Sequence, residues 1–402
     1  GINSIDPNRN DGKDHLNAQL NKQLFEQSGS NDYEEWLSTH QPFNWLAEFP
    51  NIIEKKKGFD IIIGNPPYVE YGNELRSRYT LKNYQTLDCG NLHAFTTERC
   101  LSLLHQHGRL GLIVPLPAIS TTRMASLQSL IKPGNQKIPG RSAWIASFDE
   151  RPAGLFNGVD QRLIIKLLSG LTNSPQLYTT GINRWTSSSR NKLFSLIRYT
   201  RQTEKERSYT NSILKLKHIT AEKCILEKFY SNDPISLFRS RKQTEFAIYY
   251  RTAGGRYWKV VLNHPMGTGT VSEKVAFLEG LNPYQAVALI SSSTFWWYYS
   301  THFDMYNLKD YMIFGFRFSN ASESILSALN ILGKQYLTSL EDNAVLQDIS
   351  TKTKGIITQK IYVVNKSKDI IDDIDRVLGR HYGFSENELD FIINYDIKFR
   401  MP

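Results

Sequence analysis

The run Phe59-Asp60-Ile61-Ile62-Ile63-Gly64 passes directly into Asn65-Pro66-Pro67-Tyr68, and no other stretch restricts the fold of this chain as strongly. Near-continuous β-branched residues suit a parallel strand buried on both faces. Two consecutive prolines then fix φ near −65° and push the residues before them into extended conformations, so the strand ends in a rigid rim. By average residue usage, this tetrapeptide is expected on the order of 10⁻³ times in a chain of this length. A plain Pro-Pro turn is the competing reading, and the placement directly after a strand weighs against it.

Residues 92–105 have helical periodicity, and Gly108-Arg109-Leu110-Gly111-Leu112-Ile113-Val114-Pro115 follows as a second buried strand. Strand, helix, strand is the α/β pattern. Residues 142–148 and 162–168 supply two more strands, spaced as a closing hairpin at a sheet edge. After Gly170 the alternation stops and Thr, Ser, Asn and Arg dominate, which places a domain boundary near residue 172. Asn282-Pro283 reads as a helix start, and Ser385-Glu386-Asn387-Glu388 as a capping box. At 402 residues the chain holds two or three domains. The expected segments are 1–57, polar and helical; 58–172, an α/β domain; 173–365, a second domain; and 366–402, a C-terminal helical part.

The longest apolar stretch, residues 110–119, carries two prolines and is too short for a bilayer. No signal segment opens the chain, and three cysteines without metal-type spacing suit a reducing cytoplasm better than a disulfide framework or zinc site. The expected protein is soluble and cytoplasmic, with no membrane partner and no metal. Gly1 in place of Met points to a processed or truncated chain.

The formal net charge is +9, and residues 171–260 alone hold 17 Lys and Arg against 6 Asp and Glu. A basic surplus so concentrated points to a polyanionic partner. Arg239, Arg241, Lys242, Arg251, Arg256 and Lys259, interleaved with Phe246, Tyr249, Tyr250, Tyr257 and Trp258, fit a DNA-facing strand pair. The bland alternative is a solvated hairpin over an aromatic core. Gly267-Thr268-Gly269 lacks the lysine of a phosphate loop and reads as a turn, and Asp369, Asp372, Asp373 and Asp375 complement a helix dipole.

Asn65-Pro66-Pro67-Tyr68 fits one chemistry well. An aromatic amine is a poor nucleophile because its lone pair is delocalised into the ring. Two acceptors, the Asn65 side-chain oxygen and the Pro66 carbonyl, can each take one N–H and favour the pyramidal form with the lone pair free. Pro67 holds the Pro66 carbonyl rigid, and Tyr68 offers a face on which an extruded base can stack. Ligands of open α/β sheets bind beyond the carboxyl ends of strands, which is where these four residues sit.

With Pro42-Phe43-Asn44-Trp45, Gly58-Phe59-Asp60, Ile63-Gly64-Asn65-Pro66-Pro67-Tyr68-Val69 and Gly108-Arg109-Leu110, the chain resembles the gamma-type N6-adenine DNA methyltransferases of fused type II, type IIG-like, restriction-modification enzymes. The resemblance resumes at Gly254-Gly255-Arg256-Tyr257-Trp258, at Ser292-Ser293-Thr294-Phe295-Trp296-Trp297-Tyr298 and at the segment ending Phe399-Arg400-Met401. It implies an α/β Rossmann-like methyltransferase domain, incomplete at its N-terminal side, followed by an α+β target recognition domain. It also implies double-stranded DNA as partner, S-adenosylmethionine as cofactor, and Phe156 as the aromatic on the far face of a flipped adenine.

Two departures stand out. The family's Asp-Leu-Tyr is Asn91-Leu92-His93 here, and no glycine-rich donor loop precedes Asn65. The chain is accordingly expected to be the C-terminal part of a longer enzyme, with its missing N-terminal part as a partner and with little or no donor binding alone. The alternatives are a DNA-recognition module without catalysis, and a methyltransferase acting on another planar amine such as an RNA base or a protein glutamine.

Overall fold

The computed structural model describes residues 10–133, 140–255, 257–351 and 355–401, and divides into two compact units, Gly1–Leu214 and Lys215–Pro402. The first unit opens with helices α1 (Asn10–Ser28) and α2 (Tyr33–His40), the latter capped by Asp32, whose carboxylate accepts from the Glu35 N–H at 2.9 Å. Trp45 and Phe49 then meet the ring of Phe59 edge-on at centroid distances of 5.6 and 5.4 Å.

The sheet of this unit has six strands: β1 (Phe59–Gly64), β2 (Leu104–Pro115), β3 (Gly140–Phe148), β4 (Leu163–Thr172), β5 (Leu177–Asn183) and β6 (Thr200–Gln202). Their order is β1-β2-β4-β3-β5-β6. β1 runs parallel to β2, with Gly64 opposite Leu112, so a crossover is required, and α3 (Leu92–Leu103) provides it; α4 (Ala125–Ile131) follows β2. β4 is antiparallel to both β2 and β3, β3 is parallel to β5, and β6 closes the far edge antiparallel to β5. Gly58 enters β1 at φ +131°, and a Cβ there would lie 2.6 Å from the His105 nitrogen, so glycine is required at this close approach.

Two expectations change. β1 is an edge strand, not one covered on both faces: Ile61 and Ile63, on the same face, are 64% and 82% exposed. The hairpin of β3 and β4 lies within the sheet, not at its edge, because β5 and β6 extend it beyond residue 172. The boundary expected there therefore moves to the division between Leu214 and Lys215.

The second unit holds α5 (Ile219–Tyr230), a four-stranded antiparallel sheet of β7 (Arg239–Ser240), β8 (Ala247–Arg251), β9 (Val261–Leu262) and β10 (Glu273–Leu278), and a run of helices. These are α6 (Pro283–Ser291), α7 (Ser293–His302), α8 (Glu323–Asp342), α9 (Lys368–Tyr382) and α10 (Glu386–Ile393). A separate ribbon pairs β11 (Val345–Thr351) with β12 (Gly355–Ile361). Asn282 caps α6 and Ser385 caps α10, each in a reciprocal capping box as their sequences require. Every residue of α7 is buried, with the aromatic run Phe295–Tyr299 at its centre and polar residues at both ends.

Asp375, expected to complement the dipole of its own helix, instead caps α7. Its carboxylate accepts from the N–H groups of Ser293 and Thr294, both at 2.9 Å, and from the Thr294 hydroxyl at 2.8 Å. α9 thereby belongs to the core of the second unit and is not a detached tail. No helix among the described residues is long and apolar enough to cross a membrane.

Lys166 of β4 is fully buried, and its ammonium donates to the Thr97 hydroxyl at 2.7 Å. Burial pushes its pKa down from 10.5 to about 7. The unfolded chain therefore binds more protons than the fold between these two values, and the penalty of the buried charge is greatest below pH 7. Lys166→Met is expected to raise the melting temperature at pH 6–7 and to raise it progressively less as pH approaches 10.5, measured by calorimetry across that range. Asp375→Ala leaves two buried α7 N–H groups unpaired and is expected to lower stability by about 2–4 kcal/mol in denaturant unfolding.

Candidate functional site

Parallel strands deliver their carboxyl ends to one rim, and at this rim β1 ends beside the last residues of β2. Asn65 is exposed there, Pro66 is buried, Pro67 is exposed and Tyr68 is half-buried. The Tyr68 hydroxyl reaches the Asn65 side-chain oxygen and lies 3.2 Å from the Ile113 carbonyl of β2. An amide oxygen has two lone pairs, so accepting from Tyr68 leaves Asn65 one for a further N–H. Burial pushes the Tyr68 phenol above its ordinary pKa, which keeps it a donor at neutral pH. Its ring packs against a cluster of Ala146, Phe148, Leu155, Leu163, Trp185 and Leu193.

The chain leaving Tyr68 is fastened to the start of α3. Leu92 N–H bonds the Val69 carbonyl and Tyr71 N–H the Gly90 carbonyl, both at 2.9 Å. The Asn91 side chain caps α3 through the His93 N–H at 3.2 Å and donates to Glu70 at 3.1 Å. His93 is buried and its pKa falls to about 4 through desolvation and the nearby Lys166 charge, so the ring is neutral at physiological pH.

Residues 149–162, between β3 and β4, rise from the same rim. Phe156 is 37% exposed on this loop, and its neighbour Leu155 belongs to the cluster that supports Tyr68. Tyr68 packs on this cluster, whereas Phe156 itself stays outside it, exposed next to Leu155. The loop is anchored by residues that sequence reasoning missed. Buried Asp149 accepts from Arg162 Nε at 2.9 Å and from Arg184 Nε at 2.6 Å. Arg190 donates to the carbonyls of Gly154 at 3.2 Å and Leu155 at 2.6 Å, immediately before Phe156. Residues far apart in sequence give no local signal of such a clamp. A cavity of about 510 Å³ opens along the loop, with Phe156, Asp160, Ser187 and Arg190 in its wall.

In the second unit the candidate basic residues separate. Arg239 pairs with Asp310 and stacks 4.9 Å from the Phe314 ring. Arg241 and Lys242 are exposed beyond β7. Lys259 is 7% exposed and donates to the Gly254 carbonyl at 2.7 Å. Arg251, Trp258 and Lys259 line one cavity of about 900 Å³. Arg256 lies outside the described residues.

Residues 7–133 match the family described as Eco57I restriction-modification methylase. No curated protein matches the chain. Solved structures with partial similarity include the Type IIL restriction-modification enzyme MmeI in complex with DNA, at 10% identity over 89% of this chain and 58% of that one, TM-score 0.44. The ATP-dependent Type ISP restriction-modification enzyme LlaBIII bound to DNA aligns at 10% identity over 89% and 38%, TM-score 0.36. A nuclease-deletion mutant of the Type ISP enzyme LlaGI in complex with a DNA substrate mimic aligns at 11% identity over 54% and 23%, TM-score 0.31. The chain spans no more than 58% of the length of any of these three. The family match holds β1, α3 and Asn65-Pro66-Pro67-Tyr68, and supports a restriction-modification methylase as the origin of that segment.

Proposed function

We propose that this chain is the substrate-holding part of a site-specific DNA adenine-N6 methyltransferase that uses S-adenosylmethionine. One observation carries the reading: Asn65 stands exposed at the carboxyl end of a parallel strand with its amide oxygen held by Tyr68, next to a carbonyl fixed between two prolines. In this reading the Asn65 oxygen and the Pro66 carbonyl each accept one N–H of the adenine amine, which leaves the nitrogen lone pair free on the remaining side. Tyr68 orients Asn65, and Phe156 supplies an aromatic surface on the same rim. The family match over residues 7–133 supports the methylase chemistry, and the basic surplus of residues 171–260 supports DNA as the partner.

The described residues do not by themselves fit the methyl donor. The groove beside β1, about 500 Å³, is walled by Trp45, Phe59, Ile61, Tyr84 and other apolar side chains and has no acidic residue for a ribose. The outer edge of β1 has no strand partner among the described residues. This favours, as a second reading, a chain that recognises DNA and presents the amine pocket but requires a further segment beside β1 for turnover.

In the whole enzyme, Asn65→Ala is expected to lower methylation at least about 10²-fold while DNA affinity stays within about twofold, by tritium transfer and anisotropy. Retained turnover removes Asn65 from its role. Tyr68→Phe, which keeps the ring and removes the hydroxyl, is expected to lower kcat about tenfold with unchanged DNA affinity. Binding of duplex DNA by this chain is expected to weaken linearly in log–log form with salt as phosphate contacts release counterions, and salt-insensitive association would count against DNA.

A further inference from the structure

Two segments far apart in the sequence meet in the second unit. Arg400 lies 3.7 Å over the ring of Trp258 and accepts the indole N–H on its carbonyl at 3.0 Å. Both residues line the cavity of about 900 Å³, whose wall contains Arg251, Lys259 and Lys360 as well, and no Asp or Glu. Glu273 accepts the N–H groups of Met266 and Thr268 at 2.6 and 3.0 Å, while Glu341 pairs with Lys360 and offsets the charge of that one wall cation. Arg400 is buried, and its Nε and Nη2 have no hydrogen-bond partner among the described residues.

Burying a guanidinium is costly, and the nearby carboxylates of Asp375, Asp396 and Asp372 offset part of that cost for Arg400, which leaves Trp258 and Arg251 as the groups the cavity presents. Trp258, covered on one face by Arg400, stays half-exposed in a cavity wide enough for a ring system. Gly255 holds the turn that presents it: φ is +66°, and a Cβ there would fall 2.3 Å from the Trp258 carbonyl. An aromatic platform in a wall of cations without carboxylates is complementary to a flat base bearing a phosphate.

We propose that this cavity binds a nucleoside phosphate, with the base on Trp258 and the phosphate drawn by Arg251 and the neighbouring cations. The source assigned to it, a nucleotide of the DNA strand, rests on the function proposed above; the pocket itself does not.

The test titrates this chain with single-stranded oligothymidylate and with thymidine monophosphate, following tryptophan fluorescence and anisotropy. Saturable quenching is expected with both, tighter for the oligonucleotide. Trp258→Phe is expected to abolish the quench and weaken binding about tenfold. Arg251→Gln, at a half-exposed strand end, is expected to reduce the log–log salt slope by about 0.7 without changing the melting temperature. Undiminished oligonucleotide binding and quenching in both variants would overturn the pocket and leave DNA binding in place. Quenching by the mononucleotide with no affinity for DNA would uphold the pocket and sink its assignment to DNA.

Discussion

The parallel pairing of β1 with β2 is the constraint from which the candidate site follows. With Gly64 opposite Leu112, β1 stops three residues before β2 does, and the Ile113 carbonyl of the longer strand comes within 3.2 Å of the Tyr68 hydroxyl. Tyr68 is thereby tied to the sheet, and Asn65 is tied to Tyr68. The prolines between them cannot donate backbone hydrogen bonds, so their rigidity comes from ring geometry alone. A flexible turn at the same place would lose the alignment of two acceptors on one amine, and such alignment is where preorganised sites gain their effect.

The second requirement is a firm opposite wall, and buried charge provides it. Asp149 is removed from water, but two arginine Nε donors and the Glu150 N–H surround its carboxylate, which satisfies the rule that a buried anion must be paired and hydrogen-bonded. Lys166, two strands inward, is handled differently. With a hydroxyl as its partner, it avoids part of the penalty by shifting its pKa towards neutrality. Asp375 in the other unit follows the first pattern on the amino end of a buried helix. Both carboxylates sit where main-chain or charged partners are already fixed by the fold, whereas Lys166 has only a neutral hydroxyl.

What the sequence disclosed follows the range of the interactions involved. The strand Phe59–Gly64, the crossover helix, the helix start at Asn282 and the capping box at Ser385 are legible because apolar periodicity and cap chemistry act within a few residues. The exposure of Ile61 and Ile63 was not, since burial of a strand depends on which neighbours flank it and not on its own composition. The polar texture after Gly170 was read as a new domain, yet β5 and β6 use that segment as the far side of the same sheet. Asp375 lies 82 residues from Ser293, and the contact of Arg400 with Trp258 spans 142, so neither leaves a local trace.

β1 combines two properties that seldom coexist without a purpose. It carries the residues with the clearest chemistry in the chain at its end, and along its length it turns two isoleucines to solvent at an edge with no strand partner among the described residues. Exposed apolar edges invite strand addition, and proteins ordinarily blunt them with charge or proline; here the prolines stand only after the strand, at the rim. A parallel strand added at this edge would bring its own carboxyl end to the rim that holds Asn65, while Ile61 and Ile63 stand on the face of the sheet and are covered only by a layer packed on that face. Ligands of open α/β sheets bind beyond such carboxyl ends, so a strand added beside β1 would extend the rim at which Asn65 stands.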